Sequence, residues 1–197
     1  QRGLMAWLSG EVPHRITSSY GMAKGQAAVV VAHVGDLEAA GVLSKEQRVW
    51  LVEIGGGLGT FAAHFLKALE EGCGDAGRAL LNRLKFIYSD YSERTIEDAS
   101  KMPALAPWVA KGIVQPARFD MRNPSKWQPL GGEVRDWEGV PLLGVLSNYV
   151  CCVAGSKIFQ YRQPKAVNTD SKPWQELFIQ VMAELPPDTF PEEMPFR

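Results

Sequence analysis

The chain has 197 residues, of which 46% are hydrophobic, and its 21 basic and 22 acidic residues leave a formal net charge of -1. This length supports one α/β domain with a full core, and the balanced charge provides no electrostatic basis for binding nucleic acid. No apolar run reaches the ~20 residues of a membrane span, and three cysteines do not fit a disulfide framework, so we expect a cytoplasmic protein with no membrane partner.

Residues 1–48 are predicted to form a helical lead-in to the domain. Apolar residues recur at helical spacing between residues 22 and 40, and Gly41 follows where a C-terminal helix cap is expected. A polar segment with the sequence Ile-Thr-Ser-Ser-Tyr, residues 16–20, lies ahead of that helix. A helix therefore precedes the first strand of the domain.

The central feature of the sequence is an apolar strand that runs into a glycine-rich turn and then a helix. The aliphatic run from Val49 to Ile54 is typical of a strand buried on both faces. Gly55, Gly57 and Gly59 allow positive φ angles and a close approach of the backbone to a ligand. The free N–H groups that open the following helix face whatever lies over the turn. This order predicts the first β–loop–α unit of a nucleotide-binding domain.

Three kinds of loop are compatible with a glycine-rich turn at this position. A P-loop requires a lysine before the Ser or Thr, and Gly59-Thr60 has none. A dinucleotide fingerprint requires glycine at its sixth position, which is Thr60 when counted from Gly55. The third pattern, Glu-x-Gly-x-Gly-x-Gly, is met by Glu53, Gly55, Gly57 and Gly59. We favour the third pattern, and the alternatives are another nucleotide fold or a turn that is merely tight.

Three further strands are predicted, and each ends near a polar residue. In an open α/β sheet, ligand groups gather beyond the carboxyl ends of the strands, so these residues share a rim with the glycine loop. The strands span residues 84–89, 113–119 and 141–146, and the polar residues that follow them are Asp90, Asp120 and Asn148.

Each carboxylate on this rim has a ligand-binding and a structural interpretation. Asp90 can bind the two hydroxyls of a ribose, but Asp90 or Ser92 can instead cap the next helix. Asp120 can accept a hydrogen bond from an adenine amine while the Met121 thioether lies on the ring. Alternatively, Asp120 begins an Asx turn before Asn123.

With these residues in place, residues 17–152 resemble the class I S-adenosylmethionine-dependent methyltransferases, and more narrowly their MidA-like branch, which includes a mitochondrial complex I assembly factor. The 31 residues from Gly59 to Asp90 (90 minus 59) and the polar segment 16–20 are similar to that branch. The resemblance implies a Rossmann-like methyltransferase fold, with a mostly parallel sheet, helices on both faces and S-adenosylmethionine as cofactor.

The resemblance also implies a role for each rim residue. The relatives carry Asn-Glu at the fourth strand and an acid three residues later, but this chain has Tyr149 and Cys152 there. A methyltransferase-like module that no longer catalyses, and binds cofactor or a partner protein as a structural unit, is therefore the alternative. The acceptor is a protein side chain or a small molecule, and no metal site is predicted. The implied cofactor-binding residues are Glu53, Gly55, Gly57, Gly59, Asp90, Asp120 and Met121, and the implied catalytic residues, which orient the acceptor, are Asn148 and Tyr149.

The predicted cofactor-binding core, residues 49–161, ends with a weak strand over residues 157–161. A C-terminal helix over residues 174–185 and a proline-rich end make up residues 162–197, whose six prolines argue against an antiparallel closing hairpin. We therefore expect the sheet to be truncated after its fourth or fifth strand. Either the chain is the N-terminal part of a longer protein, or a second copy or another chain covers the open sheet edge.

Overall fold

A computed structural model describes residues 15–148, Val150, and the backbone of two strands at residues 158–161 and 174–177. The chain divides into two compact units, Gln1–Ala154 and Gly155–Arg197. The first unit contains the glycine loop and the main sheet. The second unit contains a separate pair of strands.

Helix α1 spans Tyr20–Ala39. The Ser19 side chain is the N-cap, because its Oγ accepts a hydrogen bond from the Met22 backbone N–H at 3.4 Å. Gly41, with a φ of 69°, lies just beyond the end of the helix. The predicted helix ahead of the first strand is confirmed, and it starts at Tyr20 rather than at residue 22.

The strand, loop and helix of the central feature form as predicted. Strand β1, Val49–Ile54, runs into the glycine loop, residues 55–59, which opens helix α2, Thr60–Lys67. Helix α2 continues into a π-helical turn, Ala68–Gly72, and then into helix α3, Gly74–Leu81. The first β–loop–α unit is therefore present.

Four of the six further elements are predicted from the sequence, whereas the short helix Ala106–Ala110 and the strand Trp127–Pro129 are not. The strand Trp127–Pro129 is too short for its own periodic pattern, and pairing specifies it: it lies antiparallel to the preceding strand, with Trp127 opposite Phe119. These elements are β2 Leu84–Asp90, α4 Glu93–Ser100, α5 Ala106–Ala110, β3 Val114–Phe119, β4 Trp127–Pro129 and β5 Leu142–Ser147.

The five strands of the first unit form one sheet in the order β4-β3-β2-β1-β5, in which only β4 is antiparallel to its neighbour. Strands β1, β2 and β3 lie side by side in chain order, and β5 lies on the other side of β1. The strand order therefore reverses between the neighbouring strands β1 and β5. Such a switch point is where open α/β sheets bind their ligands. The fold is α/β, mostly parallel and compatible with a Rossmann-like architecture.

The two faces of the sheet are covered differently. On one face Leu51 and Phe86 join a core cluster that includes residues of every described helix, such as Phe65 of α2. On the other face Val52 and Ile87 pack in a second cluster that contains no helical residue among those described. The prediction of helices on both faces is therefore met on one face only within the described residues. The reason is that the connection from β3 to β5 forms β4 and loops instead of a helix.

Aromatic side chains take the place of a helix over the second face. Trp127 of β4 and Trp137 of the following loop stack with ring centroids 5.3 Å apart. Each indole N–H donates a hydrogen bond to a backbone carbonyl of the same connection, Asp136 for Trp127 and Pro124 for Trp137. The apolar ring faces are thus used for packing while the polar edges are satisfied.

The second unit contains strands β6, Ile158–Tyr161, and β7, Trp174–Leu177, paired antiparallel as a two-stranded sheet. The predicted strand near residue 157 is confirmed, but it is not a fifth strand of the first sheet. The predicted helix from residue 174 is wrong over β7, and its remainder lies outside the described residues. A short apolar run such as the one from residue 174 fits either the helical or the strand period, so the sequence pattern alone does not distinguish them.

Candidate functional site

The candidate site lies at the switch point, beyond the carboxyl ends of β1, β2 and β5. The glycine loop crosses this rim with φ angles of 69° at Gly55, 53° at Gly57 and 70° at Gly59, all in the left-handed region. Glycine populates that region without steric cost, whereas L side chains are strained there. The predicted conformational need for glycine is confirmed at all three positions.

The loop is also too closely packed to carry side chains. A Cβ added at Gly55 would lie 2.3 Å from Cγ2 of Val150, and one at Gly56 would lie 2.2 Å from Cε2 of Tyr88. At Gly59 the nearest atom, Cδ2 of Leu105, would be 2.7 Å away. Tight packing within the protein therefore requires some of these glycines whether or not a ligand approaches them.

Hydrogen bonds from β2 hold the loop in place. The Tyr88 hydroxyl donates to the Gly57 carbonyl at 2.5 Å, and the Gly56 N–H donates to the Ser89 carbonyl at 2.9 Å. The Gly57 N–H in turn donates to Oδ2 of Asp90 at 3.1 Å. The carboxylate predicted to bind a ribose is therefore next to the glycine loop and already binds one of its amides.

Asp90 and Ser92 divide the two roles that the sequence leaves open. Ser92 is the N-cap of α4, since its Oγ accepts from the Thr95 N–H at 3.3 Å. Asp90 is not the cap, because its Oδ1 accepts from the Ser92 N–H at 3.1 Å while its Oδ2 accepts from Gly57. Asp90 joins the loop to the helix start and stays on the rim.

Glu53 is the most perturbed acid of the site. Only 6% of its surface is exposed, and its Oε2 is a buried side-chain atom with no hydrogen-bond partner. Burial raises the pKa of Glu53 to about 8, and the negative charge of Asp90 adds to the rise. At neutral pH the carboxyl is therefore mostly protonated. An unpaired polar atom in this position is costly unless a ligand supplies its partner.

A small pocket of about 40 Å³ opens beside Glu53. Since a buried water requires on the order of 10–15 Å³ of such space, the pocket has room for a small polar group and not for a whole nucleoside. It brings together the first predicted cofactor residues, Glu53 and Gly55, with Asn148 at the end of β5. The other residues that line it are Thr17, Met22, Gln26, Ile54, Phe61, Leu146 and Ser147.

Only part of this lining is predicted from the sequence. Thr17 belongs to the polar segment ahead of α1, which the resemblance singled out, whereas Met22, Gln26 and Phe61 were missed. Their signal in the sequence is weak, because each reads as an ordinary residue of a helix. Only the fold brings Met22 and Gln26 of α1 and Phe61 of α2 to the same pocket as Glu53.

The predicted adenine-binding pair, Asp120 and Met121, does not line this pocket. Asp120 is held by Arg122, whose Nε and Nη2 donate to its two oxygens at 2.9 and 2.8 Å. These hydrogen bonds lower the pKa of Asp120 to about 2. Its Oδ1 also accepts from the Arg122 N–H at 3.0 Å, so the predicted Asx turn is present. Met121 is half-buried and packs against the second core cluster.

An exposed aromatic ring that the sequence did not single out follows Asp90 and contacts Arg122, the residue that holds Asp120. Tyr91 directly follows Asp90, is 54% exposed, and accepts a hydrogen bond at its hydroxyl from Nη2 of Arg122 at 3.0 Å. The guanidinium carbons of Arg118 and Arg122 lie 5.5 and 5.2 Å from the ring centroid. Tyr91 directly follows Asp90, the residue predicted to bind the ribose, and this position in the sequence is the signal that could have identified it.

The two predicted catalytic residues have different outcomes. Asn148 is exposed at the end of β5 and lines the pocket with Glu53. Tyr149 lies outside the described residues, as does Cys152, so the predicted role of Tyr149 stays a prediction.

Within the described residues, no group of three or more His, Cys, Asp or Glu side chains could hold a metal ion. The same part of the chain has no helix long and apolar enough to cross a membrane. Comparison with known proteins gives no match to a family model, a curated protein or a solved structure.

Proposed function

We propose that this chain binds S-adenosylmethionine over the glycine loop and transfers its methyl group to an acceptor. The observation that carries the proposal is the unpaired Oε2 of Glu53, a buried carboxyl oxygen at the wall of a pocket beside Gly55. Buried polar atoms in proteins are nearly always hydrogen-bonded. The ammonium group of an amino acid has the charge and the donors that this carboxyl lacks, and the pocket has room for such a group.

Asp90 retains the capacity to bind a ribose. A carboxylate has roughly four lone-pair sites, and Asp90 uses two of them for the Gly57 and Ser92 amides. The remaining sites can accept hydrogen bonds from two ribose hydroxyls. In this proposal Glu53 and the loop hold the amino-acid end of the cofactor while Asp90 holds its sugar.

Tyr91 is better suited than Asp120 alone to bind the adenine end of the cofactor. Asp120 is committed to three hydrogen bonds from Arg122. Tyr91 presents an exposed ring immediately after Asp90, and an aromatic face is what a purine stacks on. We therefore assign stacking to Tyr91, and Asp120 serves mainly to orient Arg122.

The reaction proposed is a direct methyl transfer. The bond between the methyl carbon and the sulfonium sulfur breaks with its electron pair left on sulfur. A bond forms from the acceptor nucleophile to the methyl carbon, and the acceptor loses a proton to solvent. The chain would contribute chiefly proximity and orientation. Asn148, exposed at the end of β5 and lining the same pocket, is placed to orient the acceptor.

A non-catalytic cofactor-binding module is the second candidate. Tyr149 and Cys152 stand where the methyltransferases that the sequence resembles carry acids, which favours this alternative. Consumption of S-adenosylmethionine in the presence of candidate acceptors distinguishes the two candidates. A rise in melting temperature without consumption would support the binding module.

Calorimetric titration at pH 8 tests the binding site directly. We expect S-adenosylhomocysteine to bind more tightly than NAD, and Glu53→Gln to weaken that binding by about 10-fold or more, the scale of a lost charged hydrogen bond. Glu97→Gln, which changes an exposed carboxyl on α4, is the matched control and should leave the affinity unchanged. Tighter binding of NAD, or equal affinities in the two variants, would reject the assignment.

A further inference from the structure

Part of the pocket wall comes from the start of helix α1 and the turn before it. Thr17 lies in that turn, and Met22 and Gln26 lie in the first turns of the helix. The turn is partly ordered by its own backbone, since the Ser19 N–H donates to the Ile16 carbonyl at 3.2 Å. That bond shapes the turn but does not attach it to another element of the fold.

His64 of helix α2 makes such an attachment. Its Nδ1 lies 2.8 Å from the carbonyl oxygen of Ser18, a residue 46 positions earlier in the chain. A carbonyl oxygen can only accept, so Nδ1 is the protonated nitrogen and donates this hydrogen bond. The ring also meets Tyr20 edge to face, with centroids 5.9 Å apart. The imidazole therefore holds both the turn and the first residue of α1.

The location of His64 connects two parts of the candidate site. It lies on the helix that the glycine loop opens, in the second turn after Thr60. Its partner Ser18 is adjacent to Thr17, which lines the pocket, whereas His64 itself does not line it. A displacement of the turn would therefore move the pocket wall while leaving the glycine loop unchanged.

We propose that His64 is a positioning residue that holds the segment 16–20 against helix α2 and thereby completes the pocket beside Glu53. This inference rests on the proposed function for the identity of the ligand, but not for the contact itself. Without the imidazole hydrogen bond, only a fraction of molecules has the pocket wall in place. The apparent dissociation constant then rises in inverse proportion to that fraction.

Two substitutions separate the effect of losing the hydrogen bond to Ser18 from the effect of losing the imidazole ring. In His64→Asn the side-chain amide nitrogen can occupy the position of Nδ1, whereas in His64→Gln it reaches the position of Nε2. Both variants lose the contact with Tyr20 equally. His33→Leu, at an exposed histidine of α1, is the matched control for loss of an imidazole elsewhere.

The measurement is the dissociation constant of S-adenosylhomocysteine, together with hydrogen exchange of the Ser19 and Met22 amides in the ligand-free protein. We expect His64→Gln to raise the dissociation constant about 3- to 10-fold and to accelerate both amides, the scale of one neutral hydrogen bond. His64→Asn and His33→Leu should stay within about twofold of the parent protein.

The outcomes separate this inference from the function on which it rests. Equal affinities and equal exchange rates in His64→Asn and His64→Gln would overturn the positioning role. If the parent protein does not bind S-adenosylhomocysteine, the proposed function fails, and the exchange of the two amides alone decides whether His64 holds the turn. Faster exchange with unchanged affinity would also reject the role in the pocket.

Discussion

Raising the pH from 6 to 8 should tighten the binding of S-adenosylhomocysteine, because Glu53 must ionise to pair with the ligand ammonium. The burial of Glu53 and its proximity to Asp90 raise its pKa to about 8, so the carboxyl is mostly neutral in the empty protein at pH 6. The ligand keeps its positive charge over this range. Binding should therefore expel the Glu53 proton.

The size of the effect follows from the fraction of ionised Glu53. With a pKa of about 8, that fraction is roughly 1% at pH 6, 9% at pH 7 and 50% at pH 8. Because the apparent dissociation constant varies inversely with the competent fraction, it should fall by about 50-fold between pH 6 and pH 8. Calorimetry at pH 7 in buffers of different ionisation enthalpy should detect the release of roughly 0.9 proton per ligand bound.

The stability of the empty protein should change in the opposite direction. The pKa of Glu53 in the folded state, about 8, is above its ordinary value of 4.5, so the folded protein binds more protons than the unfolded chain between these values. The stabilisation is complete below pH 4.5 and is lost as the pH rises toward 8, by at most about 1.4 kcal/mol per pH unit. Affinity that rises while stability falls identifies the same carboxyl in both measurements.

Glu53→Gln is the control variant for this prediction. Its amide does not titrate, so its affinity should be independent of pH in this range and no proton should be released. A parent protein whose dissociation constant changes less than about twofold between pH 6 and pH 8 would refute the reasoning. An equal pH dependence in Glu53→Gln would place the titrating group elsewhere.

Three further predictions concern the loop and its supports. Gly56→Ala should lower the free energy of unfolding by about 1–3 kcal/mol, since its Cβ would lie 2.2 Å from a ring carbon of buried Tyr88, whereas Gly35→Ala in open space on α1 should raise it by about 0.5–1 kcal/mol. Chemical denaturation measures both, and a loss of similar size in the two would contradict the packing argument. Tyr88→Phe removes the hydrogen bond to the Gly57 carbonyl and should cost about 1 kcal/mol by the same assay; no change would show the bond to be dispensable. Ser92→Ala should lower stability by about 1 kcal/mol with unchanged ligand affinity, whereas Asp90→Ala should weaken S-adenosylhomocysteine binding by roughly 1–3 kcal/mol in calorimetry, and the reverse pattern would exchange their roles.

The sequence alone determined the features that depend on neighbouring residues. The aliphatic run from Val49 to Ile54 and the glycines that follow specify a strand and a left-handed loop, because strand burial and positive φ angles are properties of single residues and short windows. Ser92 caps its helix through a residue three positions away. The four predicted strands and the helix before β1 were identified for the same reason.

Tertiary structure decided the features that depend on residues distant in the chain. The pairing of β4 with β3 places a strand where three residues carry no pattern, and the pairing of β7 with β6 overrides an apolar spacing that fits a helix. The sequence places Glu53, Asp90 and Asp120 after or within strands, but not the partners that control them. Asp120 accepts hydrogen bonds from Arg122, and Asp90 accepts one from the backbone N–H of a residue 33 positions earlier. The side chain of Glu53 is buried away from solvent. The charge state of a carboxyl depends on burial and on its neighbours in space, so the protonation of Glu53 is determined only when the chain folds around it.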